Sequence, residues 1–276
     1  MNIVALVDVL VVVMPVLYTV LMGIYAASFF GNVPSIERFK TPLLILTVAC
    51  HVLYIGVRTV AFDHLPITTV FEIMTMLALS ISIAYAYIEM RTKVSNTGFF
   101  ILVLAFLFQT VSSLFIRDLV EIREILRNRL LGFHVSTVLL GIVGVSLSAV
   151  YALLYLMLYH EIKSSRFGTI YSRLPNLETL EQMNIKAVFF AFTMLSVAIA
   201  IGFIWLPRAI ETFSYFDPKI IVTLVIWGLY GISLAARRLL GWQGRKMMIV
   251  SLIAFGFVFL SMTVINLYMS GFHSFY

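Results

Sequence analysis

The sequence predicts an all-α fold, a polytopic membrane bundle of about eight transmembrane helices with both termini on the extracytoplasmic side. Three observations carry this reading. The 276 residues are 62% hydrophobic and 12% charged, whereas a soluble domain is roughly half apolar and about a quarter charged. Apolar runs close to the length that crosses a bilayer recur about eight times. Lys and Arg gather in alternate connections, which distinguishes an inner side from an outer one. No polar, charge-rich block is long enough to form a separate soluble domain, so residues 1–276 read as a single integral membrane domain.

The first run, 3–30, is too long for the core of a cleaved signal and lacks a preceding basic stretch, so it is expected to stay as a helix. Pro15 inside it removes a backbone donor and is expected to kink it. The second run, 41–62, carries Cys50, His51 and Arg58, and the third, 66–90, follows Asp63-His64-Leu65-Pro66 and holds Glu72. Behind the fourth, 98–116, Leu119, Val120, Ile122, Ile125 and Leu126 are interleaved with charges, which suits a helix lying on the membrane surface. The fifth, 130–159, contains His134 together with Gly141 and Gly144, positions read as close helix–helix approaches. The 160–186 connection places Leu177, Leu180 and Met183 at helical spacing and is expected to form a short interfacial helix. The runs 187–206, 219–236 and 247–269 complete the set, and His273 lies just beyond the last.

The first, third, fifth and seventh connections carry Arg38, Lys40, Arg91, Lys93, Lys163, Arg166, Arg173, Lys186, Arg237, Arg238, Arg245 and Lys246. The second has no Lys or Arg, and the sixth has Arg208 and Lys219. The fourth is an exception, with Arg117, Arg123, Arg127 and Arg129 offset by Asp118, Glu121 and Glu124. Odd connections are therefore expected to be cytoplasmic, in a multi-pass protein of the plasma (inner) membrane. Basic loops account for most of the net charge of +6, so it requires no nucleic-acid partner, and the lipid bilayer is the implied environment.

This orientation gathers Asp8, Arg58, His64, Glu72, His134, Asp217 and His273 near the outer boundary. Ionisable groups at membrane depth are costly, so each is a functional candidate. Arg58 paired with Glu72 or Asp8 would equally staple helices together, and for these three both readings stand. His134 and His273 reach the same side from different helices, and neutral imidazole is a good ligand for iron. His64 is expected to hydrogen-bond within its loop, His160 to be solvated, and the thirteen Met residues to serve packing.

The single cysteine, Cys50, permits no internal disulfide, and the absence of Cys-x-x-Cys-His excludes a c-type cytochrome. Cys50 is read as a small apolar residue. Walker A, Gly-x-Gly-x-x-Gly, Gly-x-Ser-x-Gly and His-Glu-x-x-His patterns are all missing.

Several segments, taken in order, carry a resemblance. They are His51, Arg58, Asp63-His64-Leu65-Pro66 and Glu72; then Leu131-Gly132-Phe133-His134-Val135-Ser136 and Leu174-Pro175-Asn176-Leu177-Glu178-Thr179-Leu180; then residues 210–219, ending Phe216-Asp217-Pro218-Lys219; then Trp227-Gly228-Leu229-Tyr230, Arg237, residues 241–246, and 266–273. Over roughly residues 40–276 the chain resembles the cytochrome c assembly superfamily of membrane haem-handling proteins, in its CcsA/ResC and HemX branch. The resemblance implies that His134 and His273 ligate the iron of a non-covalently held haem b, and that the loop with Phe213, Phe216 and Asp217 holds the porphyrin. It also implies that His51 meets haem inside the membrane. The implied role is delivery to apocytochrome c beside a ResB-type membrane partner, with no catalytic residue of its own and at most the haem-presenting part of a cytochrome c synthase complex.

The pattern is altered in the loop. Phe216 stands where the family has its last tryptophan, Ser214 and Ile210 replace others, and Glu211 replaces a glycine. The second intramembrane histidine is Ala235. Such changes favour an alternative, a HemX-type membrane regulator of glutamyl-tRNA reductase acting through cytoplasmic loops. A third class, a transporter or membrane oxidoreductase with a haem-independent site, also remains open.

Overall fold

A computed structural model describes residues 2–31, 33–118, 128–209 and 214–263. Among them the fold is helical throughout, and eight helices are long and apolar enough to cross a membrane. This is a multi-pass membrane protein. The chain divides into two compact units, Met1–Arg127 and Asn128–Tyr276.

In the first unit, α1 (Ile3–Gly31) packs on α2 (Pro34–Phe62) and α4 (Gly98–Phe115), and α3 (Val70–Thr92) packs on α2 and α4. The helix ends follow local chemistry. Helix α2 has Pro34 in its first turn, where a missing N–H costs nothing, and stops at Asp63 in the left-handed region (φ 56°). Helix α3 starts in a capping box: the Thr69 hydroxyl accepts from the Glu72 N–H, and the Glu72 carboxylate accepts in return from the Thr69 N–H. Pro15 lies within α1 as the sequence predicted, and α2 also carries Pro42 inside it.

The second unit contains α5 (Arg129–Lys163), the one-turn α6 (Thr169–Arg173), α7 (Leu177–Ala209), α8 (Pro218–Leu240) and α9 (Arg245–Leu260). Helix α5 packs on α7 and α9, and α8 packs on the same two, so the four long helices repeat the ring of contacts seen in the first unit. Every residue of Val143–Val150 is buried, as expected of a helix apolar on all sides. Gly141 and Gly144 allow that burial, since a Cβ at Gly144 would lie 2.8–3.0 Å from the Ala191 backbone and Cβ of α7. Val145, Val188, Ala191, Leu195, Val222, Ile226, Tyr230, Ala254 and Val258 form the core around this contact.

The eight expected runs correspond to the eight spans, with two boundary differences. Helix α2 begins at Pro34 rather than near 41, and α7 at Leu177 rather than near 187. The polar residues 177–186 are the first turns of α7. They are fixed by buried Leu180 and Asn184 and by Arg237 Nη1 pairing with Glu181 at 2.8 Å. The short interfacial helix expected from Leu177, Leu180 and Met183 is not formed, since those residues belong to α7; the separate helix of this connection is the one-turn α6 upstream of them. The surface helix anticipated between Arg117 and Arg129 falls largely on 119–127, outside the described residues.

Candidate functional site

The beginnings of α5 and α8 and the end of α7 meet at one end of the second unit. His134 stands in the second turn of α5, half-buried. Its Nδ1 lies 3.0 Å from the Ala198 carbonyl of α7. A carbonyl only accepts, so Nδ1 carries the proton and a neutral ring places its lone pair on Nε2. One turn further along α7, Gly202 lies under the ring. A Cβ there would come within 3.0 Å of His134 Cε1. The imidazole is thereby held in one orientation and one tautomer, as metal-bound histidines are through their second nitrogen. Sequence reasoning missed Ala198 and Gly202. Their signal was the small-x-x-x-small spacing in α7, which marks a close approach.

Asp217 is buried and caps α8, accepting from the Lys219 N–H at 2.9 Å, with Pro218 in the first helical position. The Asp-Pro-Lys motif is thus first of all a helix start. The preceding turn is closed by Ser214, whose hydroxyl accepts from the Phe216 N–H at 3.2 Å. That turn leaves Phe216 84% exposed and presents an open aromatic face. Tyr215 meets Phe203 of α7 edge to face, with centroids 5.6 Å apart. The structure therefore brings His134, Tyr215, Phe216 and Asp217 to one end of this unit. Phe213 and His273, the other residues expected here, lie outside the described residues.

His51 belongs to the first unit and is fully buried. Its Nδ1 lies 2.9 Å from the Tyr18 hydroxyl and its Nε2 2.9 Å from the Thr75 hydroxyl. Arg58 of the same helix is also buried and pairs with Glu72 at 3.2 Å and with Asp118 at 3.0 Å, contacts that fit the stapling role, one of the two left open for it; Asp8 is exposed. His64 bonds to the Leu65 carbonyl at 2.9 Å, and His160 is exposed. A second polar cluster in this unit had no counterpart among the residues singled out from the sequence. There the Glu89 carboxylate accepts from Tyr25 at 2.7 Å, Tyr85 at 2.6 Å and Thr41 at 2.6 Å. Beside it, Lys40 contacts Glu37 at 2.8 Å, Ser95 at 2.8 Å and Ser28 at 3.0 Å.

Among the described residues, no group of three or more His, Cys, Asp or Glu could hold a metal ion. An axial haem ligand needs only one imidazole, a condition that a count of three ligands does not address.

Residues 67–273 match the family model described as "Cytochrome C assembly protein". That stretch takes in His134, Phe213, Phe216, Asp217 and His273, and begins after His51. The chain is 23% identical over 263 residues to the cytochrome c biogenesis protein CcsA of Guillardia theta, covering 88% of this chain and 86% of that protein. It is 25% identical over 236 residues to Protein HemX of Brevibacillus brevis, covering 80% and 84% respectively. Protein HemX of Bacillus subtilis (strain 168) is 30% identical over 118 residues, 43% of each chain.

Proposed function

Since the chain belongs to the cytochrome c assembly protein family, we propose that it binds haem b at the end of its second unit between His134 and His273 and presents it to apocytochrome c. The observation that supports this most directly is the His134 ring, whose Nδ1–H is committed to the Ala198 carbonyl at 3.0 Å so that Nε2 can face a metal. Haem is the cargo in this reading. His134 and His273 would hold its iron, and Phe213, Tyr215 and Phe216 would lie against its ring. Asp217 holds the start of α8 and so fixes where the aromatic turn stands. The site faces outward, toward an extracytoplasmic apocytochrome whose own cysteines form the covalent bonds, with a ResB-type membrane protein as partner.

One observation favours a second reading. Ser214, at a position where the resemblance leads one to expect an aromatic side chain, is spent closing the turn onto the Phe216 N–H. A loop with less aromatic surface suits a protein that senses haem rather than hands it on. In that reading the chain is a HemX-type regulator acting on glutamyl-tRNA reductase through its cytoplasmic loops.

Absorption spectra of the detergent-purified protein from haem-replete cells test the binding. Low-spin b-type bands are expected in the wild type, and their loss in His134→Ala and in His273→Ala. A colourless protein that takes up no added haem would overturn both readings. Bands that survive His134→Ala would remove this residue from the site.

A further inference from the structure

We infer that His51 is the centre of a directional hydrogen-bond chain through all four helices of the first unit, and not an iron ligand. In terms of the function proposed above, on which this consequence rests, any haem would then be held by the second unit alone.

The Gln109 amide, with Oε1 toward Thr75 and Nε2 toward Ser113, sets the direction. The Thr75 hydroxyl donates its only proton to Gln109 Oε1 at 2.7 Å. Its oxygen must therefore accept from His51 Nε2, 2.9 Å away, which makes His51 the Nε2–H tautomer. The other nitrogen, Nδ1, then accepts from the Tyr18 hydroxyl at 2.9 Å. With its proton directed to His51, Tyr18 can accept from Ser82 at 2.9 Å, although the Ala78 carbonyl is a second acceptor for both hydroxyls, 3.3 Å from Tyr18 and 2.8 Å from Ser82. At the far end, Gln109 Nε2 donates to Ser113 at 2.9 Å. The chain runs Ser82, Tyr18, His51, Thr75, Gln109, Ser113, drawing on α3, α1, α2, α3 and α4 in turn.

An iron ligand needs a nitrogen lone pair aimed at open space. In His51, Nε2 carries the proton and the Nδ1 lone pair is taken. The ring is 0% exposed, with Tyr18 perpendicular to it at 5.7 Å and Tyr54 at 6.0 Å between centroids. Binding iron would break the chain at a depth where the released hydroxyls have no solvent to turn to. A neutral imidazole suits the node because it accepts at one edge and donates at the other from a rigid ring.

The test uses the full-length protein in nanodiscs with 15N-labelled histidine, the His51 signals being those missing from His51→Gln. The expected result is the Nε2–H shift pattern, with His51→Gln keeping the wild-type haem content. Thr75→Val retains the imidazole but removes the acceptor, and is expected to shift the signals toward the Nδ1–H tautomer. An Nδ1–H tautomer in the wild type, or haem bands lost in folded His51→Gln, would overturn the inference. A wild type without haem would defeat the proposed function, while the tautomer pattern would still decide the role of His51.

Discussion

At the scale of single residues, the membrane interior punishes an uncompensated charge and tolerates a fully paired one. Arg58 is 1% exposed and Glu72 0%, and their contact is only part of a larger set. Arg58 also donates to Asp118 at 3.0 Å and to the Arg117 carbonyl at 2.8 Å, and Glu72 accepts from the Thr68 N–H at 2.9 Å. Removing one partner of such a pair leaves a buried charge, at a cost of about 3–5 kcal/mol, while replacing both with apolar residues is far milder. Arg58→Met is therefore expected to lower unfolding stability by about that amount, and Arg58→Met with Glu72→Gln to recover most of it, because the neutral amide oxygen can still accept from the Thr68 and Thr69 N–H groups. Denaturant unfolding of the purified variants measures both, and an additive double variant would show that the two side chains do not act as a pair. This pair was legible in the sequence because an arginine at that depth demands a carboxylate. Asp118 was not singled out, since it belongs to a loop distant in the chain. Tyr18, Thr75, Ser82 and Gln109 were missed for a different reason: neutral polar residues in apolar helices are ordinary, and only the fold shows that Tyr18 and Thr75 meet His51 and link it to Ser82 and Gln109.

At the scale of elements, the helices were legible because each is an apolar run of spanning length, and their ends depended on subtler signals. Helix α7 starts early because Leu180 and Asn184 are buried and Glu181 meets Arg237, contacts that a hydropathy reading of 177–186 discounts. The packing of α5 on α7 was visible in Gly141 and Gly144, whereas the Ala198–Gly202 seat of His134 was not, because its significance depends on which helix faces it. Gly144 offers a direct test. A methyl group there would press on the Ala191 backbone at 2.9–3.0 Å, and backbone cannot swing aside as a side-chain tip can. Overpacking of this kind costs about 1–3 kcal/mol. At Gly23 a Cβ would meet nothing within 4 Å, so Ala there should be neutral or stabilising by about 0.5–1 kcal/mol through helix propensity. Thermal unfolding is expected to place Gly144→Ala below the wild type and Gly23→Ala at or above it. Equal melting points would mean that α5 and α7 are not in close contact at this position.

At the scale of the whole molecule, the side of the membrane that holds the His134 end decides what a haem bound there can reach. The described residues hold eight candidate spans, an even number. Each unit contributes four spans with the same ring of contacts. The odd connections hold the clustered Lys and Arg, including Arg166, Arg173, Arg237 and Arg238, and such clusters favour the cytoplasm. Within the second unit the His134 end is opposite Arg166, Arg173, Arg237 and Arg238, so presentation to an external apocytochrome requires it to face outward. Cys50 is the only cysteine, which makes a labelling test simple. In a Cys50→Ala background, Ser214→Cys places a thiol on the exposed turn beside Phe216, and Ser164→Cys places one at the exposed end of α5. A membrane-impermeant maleimide applied to intact cells is expected to label the first and not the second, with both labelled after lysis. The reverse pattern would turn the His134 end toward the cytoplasm. Delivery to an external acceptor would then fail on geometry alone, and haem bound at His134 could act only on a cytoplasmic partner.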